Sequence, residues 1–262
     1  MLTFSVQSGS CGNCYYYESG DVRLLFDAGL SWRRASERIR GAGARCDGVS
    51  AVFISHDHSD HVGAAGTFHR MTKAPLFLSR GTADAAHVAL GKVKAREVFE
   101  AGDTVTVGHV KVHTIPTPHD AADPVAFIVD DGRTRVGVLT DLGHGFPALR
   151  ACLASLDVAY LESNYDEEML AANTGYPEHL KRRIRGRAGH LENREAAMLV
   201  REGRGEGRLR HVLLSHLSQD NNSPATALRV HGETHLPRDL FDAPFPTLLI
   251  APRDRASAVV SI

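Results

Sequence analysis

The sequence predicts a mixed α/β chain with substantial antiparallel sheet, and three observations predict it. Short apolar, β-branched runs recur along the 262 residues, each bounded by Gly, Asp, Asn or Pro as strands are. Segments with helical patterning alternate with them. Within "AFIVDDGRTRVGVL" the pair Asp131-Gly132 is a hairpin turn signal, which points to antiparallel neighbours.

Taken in order, the predicted strands are "LTFSV", Val22–Phe26, Val49–Ser55, "APLFLS", "VKVHTIP", "VAFIVD", Arg135–Asp141, Leu156–Glu162 and His211–His216. Helices are predicted over Trp32–Gly41, Thr82–Leu90, Pro177–Arg185, Asn193–Glu202 and Pro224–Val230. The stretch Arg201–Arg210, "REGRGEGRLR", reads as a loop, and the tail from Leu236 holds one further strand candidate, "TLLIA". No repeat and no Gly/Ser/Pro linker divides the chain.

Composition narrows the class. Hydrophobic residues at 43% and charged residues at 23% are ordinary for a soluble globular protein, and no run approaches the roughly 18 apolar residues of a membrane helix. The start "MLTFSVQSGS" lacks the basic-then-apolar pattern of a secretory signal, so a cytoplasmic protein is expected. Thirty basic against thirty-one acidic residues argue against coating nucleic acid by overall charge. Four cysteines are too few for a disulfide framework, and Cys46 and Cys152 stand alone.

The chemistry concentrates in "FISHDHSDHVGAAG". His56, His58, Asp60 and His61 follow a strong strand with H-x-H-x-D-H spacing. In a loop leaving a strand, the alternate residues His56 and His58 can converge on one ion, and Asp60 and His61 reach a neighbouring position as the chain turns into a helix. Imidazole and carboxylate donors suit zinc, manganese or iron. Two ions sharing a hydroxide need more than four protein ligands. Three further residues end strong strand patterns and qualify: His119 in "IPTPHDAADP", Asp141 in "VGVLTD" and His216 in "HVLLSHLS".

These residues resemble the metallo-β-lactamase fold superfamily. The resemblance covers nearly the whole chain and implies a single domain over 1–262, with 236–262 a C-terminal strand and tail. It implies a four-layer αβ/βα sandwich, two mixed sheets flanked by helices, with two divalent metal ions at one edge. It assigns His56, His58 and His119 to the first ion, Asp60, His61 and His216 to the second, and Asp141 as the bridge. His190 in "GHLEN" competes with His216 for the last place, or enters a helix, or contacts substrate. Asp27 in "LLFDAGL" matches an early structural aspartate.

Four further segments, "SGSCGNCYYYES", "ESNYDEEML", "YPEHLKRRIRGRAGHLEN" and "LSHLSQDNN", resemble the YycJ/WalJ group of bacterial metallo-β-lactamase-fold proteins. Members of that group are regarded as DNA exonuclease-like phosphodiesterases. One departure is Tyr165, where a histidine is expected. The resemblance implies in-line attack on phosphorus by a hydroxide held between the ions, with Asp60 orienting the nucleophile and His190 and a metal-bound water both candidates for the leaving-group acid. A cysteine where Asp141 stands would have suggested a lactamase.

Charge and loops suggest substrate contacts. Lys181, Arg182, Arg183, Arg185 and Arg187 lie within seven residues, a patch able to neutralise several phosphates or a solvated helix face. Ser8, Gly9, Ser10, Gly12 and Asn13 offer backbone N–H groups to an anion, or form a simple turn. Asn221 and Asn222 contact substrate or cap the next helix. Cys11 and Cys14 read as small packed residues more than as a redox pair.

Other activities compete. A glyoxalase II-like thioester hydrolase shares all seven ligand types, but its basic C-terminal region is not matched here, where the basic run precedes the last ligand. A small cyclic or linear phosphodiesterase fits as well as an exonuclease. Asp141 and His216 are 75 residues apart, too few for the added domain of the β-CASP branch. A non-catalytic metal module is disfavoured, since a structural site closes with four ligands.

Overall fold

The computed structural model describes residues 1–203, 208–234 and 245–262. The chain divides into two compact units, one of Met1–Pro116, Ala121–Thr134 and Ala251–Ile262, the other of Thr117–Asp120 and Arg135–Ile250. No described helix is long and apolar enough to cross a membrane.

The first unit holds β1 (Leu2–Gln7), β2 (Cys14–Ser19), β3 (Val22–Phe26), α1 (Trp32–Gly41), β4 (Ala51–Ile54), α2 (Ser59–Val62) and α3 (Ala65–Thr72). It continues through β5 (Leu76–Ser79), α4 (Arg80–Ala85), α5 (His87–Leu90), β6 (Arg96–Phe99), β7 (Thr104–Val107), β8 (Val110–Pro116) and β9 (Val125–Asp130). The second holds β10 (Arg135–Leu139), α6 (Pro147–Ser155), β11 (Val158–Glu162), α7 (Glu167–Ala172), α8 (Glu178–Arg185), α9 (Asn193–Gly203), β12 (His211–Ser215), α10 (Pro224–Thr234) and β13 (Thr247–Ile250). A short β14 (Val260–Ser261) belongs to the first.

Two mixed sheets carry the fold. The first runs β14-β1-β2-β3-β4-β5-β6, antiparallel as far as β3 and parallel beyond it. The second contributes β9-β8-β7, antiparallel, to the first unit and β13-β12-β11-β10, parallel, to the other. β3 and β4 are buried at every residue, which is why "VRLLF" and "AVFI" are apolar runs, interrupted only by Arg23, itself buried and paired with Glu18 at 3.0 Å. Phe53 of β4 stacks on Phe26 at 5.3 Å and on Phe77 at 4.9 Å, and Phe127 of β9 meets Phe26 at 5.2 Å. Such pairs add about 0.5–1.5 kcal/mol each beyond their burial.

Strand expectations hold for most apolar runs but miss β2, which lies between β1 and β3, as well as β6, β7 and β14. β6 and β7 alternate with charged or hydroxyl residues and expose most of their length. The single helix expected over Thr82–Leu90 is two, broken at Ala86, with the His87 ring taking the Asp84 carbonyl. "TLLIA" does form a strand, β13, pairing parallel with β12. In the expected loop Arg201–Arg210, α9 persists to Gly203, and residues 204–207 lie outside those described. The Asp131 side chain closes its turn by accepting from Arg133 and Thr134 N–H at 3.0 and 2.8 Å, while Gly132 takes a φ of +85°.

Candidate metal centre

In the first unit the strand end of β4 delivers the histidine cluster. His56 and His61 are buried, with ring centroids 4.0 Å apart, and His58 stands 4.7 Å from His56 as the residue entering α2. Asp27, just past β3, organises them from a left-handed φ of +63°. Its Oδ1 accepts the Ser55 N–H at 2.8 Å, and its Oδ2 accepts the Ser55 hydroxyl at 3.1 Å and His61 Nδ1–H at 2.8 Å. A carboxylate only accepts, so the His61 proton sits on Nδ1 and its Nε2 keeps a lone pair, which the Asn13 amide faces at 3.0 Å.

The early Ser8–Asn13 loop clasps α2. The Asn13 backbone N–H donates to the Asp60 carbonyl at 2.8 Å, and its amide reaches Asp60 Oδ2 at 3.4 Å and His61 Nε2 at 3.0 Å. Asn13 also accepts the Gly9 N–H at 2.8 Å and is fully buried. Gly29 is required at this approach, because a Cβ there would stand 1.7 Å from the Asp60 carbonyl oxygen. Asn13 therefore holds the metal loop in place, a role the sequence reading did not assign; Ser10 is exposed at the loop tip. Cys11 is exposed and Cys14 buried, with burial driving the Cys14 thiol upward, so the two form no disulfide or reactive pair.

The second unit builds its cluster from strand ends. β10, β11 and β12 are parallel and in register, Leu139 beside Leu161 and Glu162 beside Ser215, so Asp141, Glu162 and His216 emerge along one edge. Asp141 and His216 both adopt left-handed φ, +57° and +55°, at the first turn out of their strands. Ligand atoms of Asp141, Glu162, His190 and His216 all lie within 4.8 Å of one another. His119 Nε2 is 3.6 Å from Asp141 Oδ1, and its Nδ1–H donates to the Gly189 carbonyl at 2.9 Å.

These donors suit a divalent ion. Nitrogen and carboxylate ligands at about 2.1 Å around a tetrahedral ion lie about 3.4 Å apart, close to the His119–Asp141 spacing of 3.6 Å. Burial lowers the His119 pKa more than the carboxylates raise it, which keeps the ring neutral and able to ligate. His56, His61, His119, Asp141 and His216 are all buried, while Asp60 is partly exposed.

Glu162 was missed from sequence. It is fully buried, its Oε1 accepting His190 Nδ1–H at 2.7 Å and its Oε2 the Leu142 N–H at 2.7 Å. Burial pushes its carboxyl up, but the charge and hydrogen bonds of His190, with that of His216, prevail and leave it below the ordinary value. The one available signal was its position as the last residue of a strand opening "ESNYD". Tyr165 in that motif is buried against Leu170 and Ile184, in a small core with Tyr176 and Leu180.

The expected phosphate stripe along α8 requires correction. Lys181 is buried, its ammonium donating to the Ala171 carbonyl at 2.9 Å at the end of α7. Arg183 grips Asp120 bidentately at 2.6 and 3.0 Å, and Arg185 grips Glu167 at 2.6 Å. Arg187 contacts His144, and Arg182 is exposed, donating to the Glu178 carbonyl. Asn221 is buried, accepting from the Asn173 amide and donating to Ser218, and Asn222 ties Ser163, Asn164 and Asn193 together. These two asparagines stitch loops.

Fold and donor sets define the class. A model of the β-lactamase superfamily domain matches residues 22–217, and the chain belongs to that superfamily. Within it the chain groups with YycJ and WalJ. It is 32% identical over 224 residues to exodeoxyribonuclease YycJ of Bacillus anthracis, spanning 84% of each chain. It is 32% identical over 220 residues to exodeoxyribonuclease WalJ of Streptococcus pneumoniae, spanning 82% of this chain and 81% of that one. Among solved structures, the metallo-β-lactamase fold protein YhfI of Bacillus subtilis superposes with a TM-score of 0.72 over 99% of both chains at 19% identity, a likeness of fold.

Proposed function

We propose that this chain is a cytoplasmic, metal-dependent phosphodiester hydrolase that shortens DNA from an end. The observation that carries the reading is the cluster of Asp141, Glu162 and His216, buried at the strand ends, with the half-buried His190, in a chain 32% identical to two exodeoxyribonucleases over most of its length. His56, His58, Asp60 and His61 of the first unit, and His119, Asp141 and His216 of the second, are the donors that would hold zinc or manganese ions. Bound there, such ions acidify water and offset charge on phosphoryl oxygens.

The protein's own groups supply orientation and proton transfer. Asp27 fixes the His61 tautomer, and Asn13 holds the backbone of Asp60, whose carboxylate would orient the attacking water. Glu162 accepts from His190 Nδ1–H, so in the doubly protonated ring Nε2–H would be the proton passed to the departing oxygen, leaving the neutral Nδ1–H imidazole behind. Arg182 keeps an exposed guanidinium for a backbone phosphate. The test is nucleotide release from an end-labelled duplex by metal-free protein reconstituted with manganese or zinc, beside Asp141→Ala. Shortening by the wild type alone supports the reading; a duplex left intact by both refutes it.

A further inference from the structure

We propose that the exposed cations around the C-terminal end of α3 and the β6 edge, Arg70, Lys73, Lys92, Lys94 and Arg96, form a track for the DNA backbone leading away from the metal loop. The inference rests on the DNA reading above and names a surface which that reading does not. All five side chains are exposed, and among the described residues none makes an ion pair. This contrasts with α8, whose Arg183 and Arg185 are each spent on a carboxylate. Three of the chain's five lysines fall in this one place.

The backbone brings the five together. Lys73 N–H donates to the His69 carbonyl at 2.8 Å, closing α3, and the Lys94 N–H donates to His69 Nε2 at 3.1 Å. Gly66 packs on the Leu90 carbonyl with the Arg70 guanidinium beside it, which sets Arg70 next to the start of the Lys92 loop. Arg96 pairs in register with Leu76, three residues past Lys73.

Simpler roles explain only some of these residues. Charges on an edge strand discourage pairing with other chains, which accounts for Arg96. A cation at a helix C-terminus is favourable, which accounts for Lys73, although its left-handed φ of +65° is a place where glycine is usual. The same effect covers Arg70, in the last turn of α3; neither role explains Lys92 and Lys94 standing unneutralised beside them.

Geometry fits a polymer. α3 begins three residues after α2 ends, and its eight residues span about 12 Å. At about 3.4 Å per nucleotide along one strand, an end held at the histidine loop would pass the cations some four to six nucleotides in.

The experiment compares wild type with K92A/K94A/R96A, three exposed substitutions outside the metal cluster. Metal-free chains are titrated against a fluorescein-labelled 20-base-pair duplex by anisotropy from 50 to 200 mM salt, and manganese-loaded chains are assayed on bis(p-nitrophenyl) phosphate. Losing three phosphate contacts flattens the slope of log affinity against log salt by about 2.7, so the wild type's advantage shrinks about 40-fold across that range. Small-diester hydrolysis stays unchanged. Identical slopes in the two chains, with wild-type DNA cleavage intact, overturn the track and leave the hydrolase reading standing. A wild type that neither binds nor cuts DNA overturns both. Binding of phosphatidylglycerol vesicles in place of DNA, lost in the variant, overturns the track in favour of a lipid surface.

Discussion

Replacing Glu162 by glutamine tests whether His190 depends on a buried carboxylate for its orientation. The substitution preserves shape and removes one charge and one acceptor. In the native chain one oxygen accepts from His190 Nδ1–H and the other from the Leu142 N–H. A glutamine can accept from only one of them. With its oxygen toward Leu142, its NH2 meets His190 Nδ1, and the imidazole must move its proton to Nε2 to accept that bond. With its oxygen toward His190, an N–H faces the buried Leu142 N–H, at a cost of about 1–3 kcal/mol. Where a histidine serves as acid or base, converting its orienting carboxylate to an amide can cost up to about 10⁴ in kcat. We expect kcat to fall about 10²–10⁴-fold, or about 2.7–5.4 kcal/mol, with KM for the duplex nearly unchanged. The assay is single-turnover release of nucleotide, with metal content per chain measured in parallel. A variant holding its full metal complement and turning over within threefold of wild type refutes the reasoning.

Other substitutions probe the frame. Gly29→Ala places a methyl 1.7 Å from the Asp60 carbonyl; backbone must move, so a lower urea midpoint, worth about 1–3 kcal/mol, and a weaker metal affinity are expected together. Asp27→Asn keeps the volume but disturbs the bonds to Ser55 and His61, and metal content by mass spectrometry is expected to fall while secondary structure by circular dichroism persists. Asp131 is pushed up by partial burial but held below the ordinary carboxyl range overall by bonds from Thr134, Ser19 and Arg133. A depressed carboxyl stabilises above its unfolded pKa of about 3.9 and loses that contribution as pH falls through its folded value. The melting-temperature gap between wild type and Asp131→Asn is therefore expected to be full at pH 6 and to close below about pH 4; a gap independent of pH contradicts the assignment.

Legibility in the sequence followed how local each signal was. The H-x-H-x-D-H loop was readable because four donors crowd into six positions behind a strand. His119, Asp141 and His216 were readable because each ends an apolar run. Glu162 ends such a run too, but a lone acid without a neighbouring donor resembles any polar strand cap, and its partner His190 lies 28 positions on. The α8 arginines misled for the complementary reason: a charge run shows its cations and hides their partners, and Arg183 finds Asp120 63 residues away. Asn13 looked like an anion-binding turn because its contact with Asp60 spans 47 residues. β6 escaped because "REVF" opens on two charged residues, and β7 because "TVTV" is four residues long and half hydroxyl.

The most direct test of the account is a titration of manganese into metal-free protein, reading bound ions per chain and nucleotide release from an end-labelled duplex in the same samples. The expected result is no release without metal and a rise that saturates as the second ion binds. Full activity in chelator, or two bound ions with the duplex intact, would contradict it.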